Sequence, residues 1–286
     1  MENILNNINQ NFPSWYKLDN ETKLCNYIEF VLYLVKPQKW NIRISNSILS
    51  DKGKFDKIQN IASELNKGIN IWHRLSLSTI KSYINLPKTI KKREQEIREQ
   101  DDEGNEFTRR NKLDGKDILN NLFNIHHLRI DETKSNTKFS LFGKDIHFVK
   151  QKQNDLLFVM FDNRFSTVYF LDILKHDDLY KYSKILRIVI NENLPRPFQS
   201  FNVPILKNGF SDEEFRKLFF NGARMIFNVD DSCFISLNKM TTSGFTDKII
   251  NICNKIKQNE IDIVLPSDFI YIGQIFNEFY QFNFKS

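Results

Sequence analysis

The stretch DLLFVMFDNRFSTVYFLDIL, residues 155–174, decides the fold. Its halves, DLLFVMFD (155–162) and STVYFLDIL (166–174), are rich in β-branched and aromatic side chains and bounded by turn formers, the pattern of short strands. Asn163 and Arg164 fall at the turn between them, which predicts a β-hairpin. Upstream, HHLRID (126–131) and DIHFVK (145–150) carry the same signature, so a sheet of at least four short strands is expected. The period then changes. Leu179, Ile185, Leu186 and Val189 fit an amphipathic helix, and Pro195 and Pro197 stop it.

Toward the amino terminus, from residue 1 to about 122, the pattern is mainly helical. Leu24, Tyr27, Ile28, Val31, Leu32 and Leu34 repeat at three-to-four spacing, with Asn20 as the expected cap, Glu21 in the first turn and Pro37 marking the end. Lys23 stands three residues after Asn20, so the reciprocal capping box is absent. A second helix is predicted over Phe55, Ile58, Ile61, Ala62 and Leu65, closed by Gly68.

Toward the carboxyl terminus a second mixed unit is expected. It holds a helix over SDEEFRKLFF (211–220), strands in RMIFNV (224–229) and SCFISL (232–237) around Asp230 and Asp231, and a helix carrying Ile249, Ile250, Ile252 and Ile256. An aromatic-rich helix containing Phe269, Phe276 and Phe279 closes the chain, and no internal repeat is found. The expected class is α+β. Residues 1–115 form a helical N-terminal part ending in a charged linker, 116–198 a central antiparallel-rich sheet with a crossing helix, and 199–286 a smaller mixed α/β unit.

With 286 residues, 41% of them hydrophobic, the chain is long enough to bury a substantial core. No run of eighteen apolar residues occurs, and the first twenty residues lack the plan of a signal peptide, so a cytoplasmic protein without membrane contact is expected. Cys25, Cys233 and Cys253 lack the close spacing of zinc ligands and read as small buried apolar residues. The net charge of +6 is compatible with RNA or DNA as partner, and equally with the Asn-, Ile- and Lys-rich composition of an AT-rich genome.

The run KTIKKREQEIREQDDEGNEFTRRNK, 88–112, is nearly devoid of apolar residues and mixes both charge signs. It reads either as a solvated helix and loop, or as a basic arm in which Lys91, Lys92, Arg93, Arg109, Arg110 and Lys112 meet phosphates.

Four of the five histidines, His126, His127, His147 and His176, cluster around the central strands. On a regular strand His127 shares a face with Arg129, while His176 follows Lys175 at a strand-to-helix corner. Imidazoles titrate near neutrality. Two of them flanking a phosphodiester would act as base and acid while Arg129 or Lys175 holds the phosphate charge. Set against this is a packing role for the same rings. His127, His147 and His176 with Asp131 or Asp172 have metal-binding atoms but no ligand spacing, and no phosphate-binding glycine loop occurs, so neither a metal nor a cofactor is expected. Thr242, Ser243 and Gly244 lie ahead of a helix, as an anion site or an ordinary cap.

ILNNLFNIHHLRID, followed by DLLFVMFDNRFSTVYFLDILKHDD and MTTSGFTDKI, resembles a pattern of uncharacterised bacterial and phage-associated proteins with a paired-histidine strand. HHLRI, DLLFVMFD and VYFLDILKH also resemble the sheet of RelE- and HigB-type toxin ribonucleases, which would place Arg129, Lys175 and His176 at RNA cleavage positions. The expected function is therefore a metal-independent endoribonuclease, toxin-like or a phage-defence effector, using His126, His127, Arg129, His147, Lys175 and His176. The rival is a non-catalytic nucleic-acid-binding or protein-interaction subunit of such a system.

Overall fold

The computed structural model describes residues 2–85, 120, 125–141, 144–150, 155–162, 165–175, 182–194, 198–200, 226–229, 232–236 and 247–258. Among them the N-terminal part holds helices α1 (Glu2–Asn11), α2 (Asn20–Tyr33), α3 (Asn46–Leu49), α4 (Lys52–Asn66) and α5 (Leu77–Ile84), with strand β1 (Asn41–Ile44) between α2 and α3. The middle holds β2 (Ile125–Arg129), β3 (Lys134–Leu141), β4 (Lys144–Val149), β5 (Asp155–Asp162), β6 (Thr167–Lys175) and helix α6 (Tyr182–Asn191). Strands β7 (Phe198–Ser200), β8 (Ile226–Val229) and β9 (Ser232–Ser236) and helix α7 (Asp247–Lys257) follow. The expected helices at 211–220 and 269–279 lie outside the described residues.

The hairpin forms as its sequence predicts: β5 and β6 pair antiparallel, with Asp162 opposite Thr167. The sheet around it differs from expectation in its members, because its order is β1-β6-β5-β2 and DIHFVK is not among them. That segment, β4, pairs with β3 in a separate two-stranded sheet, and β3 (KSNTKFSL) is too polar to announce itself by hydrophobic alternation. The fourth place goes to β1, in a stretch expected to be helical, which runs parallel to β6 with Ile44 opposite Phe170. Strands β7-β9-β8 form a third, antiparallel sheet. The class is α+β.

Alternation along β5 and β6 divides the central sheet into two buried faces. Val159, Phe161, Val168 and Phe170 join Leu24 and Ile28 of α2, Ile58 and Ile61 of α4, and Ile252 and Ile256 of α7 in one apolar core. Residues from all three expected units thus bury side chains together. On the opposite face Leu156, Phe158 and Met160 are buried, and α6, with buried Ile185, Leu186 and Val189, packs against β6. A sheet covered on both faces needs apolar residues on both, which explains why DLLFVMFD reads as a continuous run rather than an alternation.

Helix α2 is buried on every side from Lys23 to Tyr33. Its cap is Asp19, one residue before the expected Asn20. Asp19 takes the extended conformation of a cap, and its Oδ1 accepts the Thr22 N–H at 2.8 Å. Helix α4 ends as predicted at Gly68, where the Gly68 N–H donates to the Leu65 carbonyl and the Ile69 N–H to the Glu64 carbonyl. Gly68 has φ +75°, and a Cβ there would lie 3.2 Å from the Lys39 nitrogen. Gly68→Ala is therefore expected to lower stability by about 1–2 kcal/mol, read as the shift in a urea melt.

Candidate functional site

Among the described residues, His126, His127 and His147 do not converge. His126 is 3% exposed, wedged between the rings of Tyr33 (6.0 Å) and Phe161 (5.3 Å), and its Nε2 accepts from Asn120 Nδ2 at 2.8 Å. His127, the next residue of the strand, points to the other face beside Phe158. His147 belongs to the two-stranded sheet, where its Nδ1 lies 3.0 Å from the Ser135 carbonyl. His127 and Arg129 share a face, as alternation predicts, and the Arg129 Nη1–H donates to the Val149 carbonyl. Burial pulls that guanidinium below its ordinary pKa. His176, the basic residues Lys91, Lys92, Arg93, Arg109, Arg110 and Lys112, and Thr242, Ser243 and Gly244 lie outside the described residues.

The fifth histidine, which the sequence reading passed over, stands in an ionic knot. Arg74 is 1% exposed, and its Nε and Nη2 donate to Glu64 Oε2 and Oε1 at 2.7 and 2.9 Å. Nη1 donates to the carbonyls of Arg129 and Asp131, and Nη2 also reaches Glu132. His73 Nε2 lies 3.6 Å from Glu64. Burial alone would raise the Glu64 carboxyl, but the neighbouring His73 and the hydrogen bonds and charge of Arg74 hold it down at about 2. With every guanidinium nitrogen engaged within the protein, this knot is a clamp joining α4 to the turn after β2 rather than a ligand site.

A second charged cluster, centred on a buried carboxylate and rimmed by exposed lysines, gathers where β1 and β6 end. A bulge at Phe158 and Val159 places Asp172 opposite Phe158 and Phe170 opposite Val159, so Leu171 is the extra residue. Strict alternation would set Asp172 on the face of Val168 and Phe170; the bulge turns it to the other. There Asp172 is fully buried, with Oδ1 accepting from Lys54 Nζ at 2.6 Å and from the Ile173 N–H at 2.8 Å. Among the described residues Oδ2 accepts no hydrogen bond and faces the Lys184 ammonium at 3.7 Å. One turn along α4 from Lys54, Lys57 pairs with Asp155 at 2.7 Å, and Asp155 stands opposite Lys175. Three lysines thus contact two carboxylates, with Lys175 on the strand beside Asp155, and the Lys57 and Lys184 side chains are 44% and 55% exposed.

Two residues back along β6, a cleft of about 360 Å³ opens at the end of β1, lined by Arg43, Ser45, Tyr169, Phe170, Glu192 and Leu194. The Ser45 hydroxyl donates to the Leu171 carbonyl at the bulge, and Glu192 accepts the Asn46 N–H at 2.8 Å, which ties the end of α6 to the start of α3. Side chains beyond the carboxyl ends of parallel strands are a common place for ligands. Periodicity did not mark Lys54, Lys57, Lys184 or Arg43, because exposed lysines on helices carry no signal of what they face. Asp172 was visible only as a metal candidate. Among the described residues no three His, Cys, Asp or Glu side chains group closely enough to hold a metal ion, and no helix is long and apolar enough to cross a membrane.

No family model, no curated protein and no solved structure matches this chain.

Proposed function

We propose that this protein binds single-stranded nucleic acid, RNA in the first instance, at the end of the central sheet. The observation that carries the reading is the excess of lysine over carboxylate at Lys54, Lys57, Lys175 and Lys184, set beside a cleft with an aromatic wall and an arginine. Lysines of this kind take phosphates, with release of counterions. The cleft volume suits a planar base, for which Tyr169 is a stacking surface and Arg43 a cationic neighbour. This geometry favours binding over histidine-driven cleavage, since His126 is sealed in the core and His127 lies across the sheet from it.

Fluorescence anisotropy of a labelled single-stranded RNA tests the reading. Saturable binding is expected, with affinity falling on added salt at a log–log slope of about −2, from three phosphate contacts at Lys57, Lys175 and Lys184, since Lys54 is held by Asp172. The triple variant Lys57→Ala, Lys175→Ala, Lys184→Ala should flatten that slope by about 2, and Tyr169→Ala should weaken binding by about 1–3 kcal/mol. An absence of saturable binding up to about 100 μM protein at low salt overturns the proposal. Gel analysis of the same reactions reads cleavage: product that resists chelation would restore the metal-independent ribonuclease.

A further inference from the structure

Helices α2 and α7 touch through sulfur. Cys25 of α2 and Cys253 of α7 are both fully buried, lie 228 residues apart in sequence, and their Sγ atoms are 2.7 Å apart. That is closer than unbonded sulfurs settle, and farther than the about 2.05 Å of a disulfide bond. A shared zinc does not account for the spacing, because two thiolates at about 2.3 Å from a tetrahedral metal stand about 3.8 Å apart.

The approach is fixed by more than one contact. Lys257 Nζ pairs with Glu21 Oε2 at 3.0 Å, and the charged pair is related to the sulfur pair by four residues forward on α2 and four backward on α7. One turn on each helix in opposite directions defines an antiparallel helix pair in register, with the cysteines facing each other inside it. Ile249, Ile252 and Ile256 of α7 seat the helix in the main core together with Leu24 and Ile28 of α2.

From this placement we infer that Cys25 and Cys253 are a modification site: hydrogen peroxide joins them in an intramolecular disulfide that ties α2 to α7. One thiolate attacks the peroxide O–O bond, giving a sulfenic acid and hydroxide. The second sulfur then displaces the sulfenic oxygen as water. In sum two thiols and one peroxide yield one disulfide and two waters, the sulfurs losing two electrons and the peroxide gaining them. Peroxide is small enough to enter where larger oxidants do not. The neighbouring Cys25 thiol and burial push the Cys253 thiol well above its ordinary pKa, so the reaction is slow. The inference is independent of the nucleic-acid reading.

The reduced full chain, exposed to peroxide in its folded state and then unfolded in N-ethylmaleimide, tests it by intact mass and peptide mapping. All three cysteines should carry maleimide before peroxide and only Cys233 after, with the Cys25 and Cys253 peptides joined until reductant is added. The Cys233→Ser variant, which keeps the pair, should take up no maleimide after peroxide. The oxidised protein should melt about 5–10 °C above the reduced form and fall back on reduction. Full labelling after peroxide, a cross-link that includes Cys233, or sulfinic acid in place of the cross-link overturns the inference.

Discussion

Replacing Arg74 by alanine is expected to destabilise the fold by about 3 kcal/mol, at the lower end of the range for breaking a buried ion pair. The guanidinium is 1% exposed, and its loss strands the carbonyls of Arg129 and Asp131 as well as the Glu64 carboxylate. The lower end applies because Glu64 and Glu132 keep 22% and 57% of their side-chain exposure and so retain some water. Arg74→Lys should recover little of the loss, since one ammonium cannot span both Glu64 oxygens and two carbonyls together. A urea titration of the three proteins reads this directly, and an alanine variant within about 1 kcal/mol of the parent would sink the clamp assignment.

The same knot sets an acid dependence. Glu64 titrates at about 2 in the folded protein, below its ordinary value of 4.5. Its contribution is therefore whole above about pH 4.5 and is lost as pH falls toward 2, where the carboxyl takes up a proton in the folded state as well. Without Arg74 the carboxyl moves back toward its ordinary value, and the variant should lose less stability than the parent across that window.

How far the sequence could be read depended on burial. DLLFVMFD and STVYFLDIL are buried on both faces, so nearly every residue carries the signal of a strand, and the hairpin, α4 and the Gly68 stop were all legible. Strand β1 was not. Its four residues, NIRI, alternate for too short a span to stand out from the helices around it, and its place is set by pairing with β6, 126 residues away at Asn41 and Thr167. The site was less legible still. The clustering of histidines in sequence implied convergence, but adjacent strand residues point apart, and His147 went to a different sheet. Asp172 depends on a bulge that inserts Leu171, an irregularity that alternation counts do not register until the partner strand is known.

Removing the ammonium that faces Asp172 should expose the tension between stability and binding at this edge. Lys54→Met is expected to lower stability by about 2–3 kcal/mol, because a fully buried carboxylate then retains the Ile173 N–H and a lysine at 3.7 Å as its described partners. Asp172→Asn should lose less, about 1–2 kcal/mol. A neutral amide still accepts the Ile173 N–H, and Lys54, with 27% of its side chain exposed, can turn its charge to water. The double variant removes both charges together, so its loss should fall short of the summed singles by about 1–2 kcal/mol; additive losses would mean that the 2.6 Å pair contributes no coupling. RNA binding should move the other way. Asp172→Asn raises the net charge of the site by one, and is expected to tighten RNA binding and steepen the salt slope by about 0.7 while weakening the fold. Urea melts and anisotropy on the same three variants separate these effects, because a carboxylate that only supports packing would change stability without changing the salt slope.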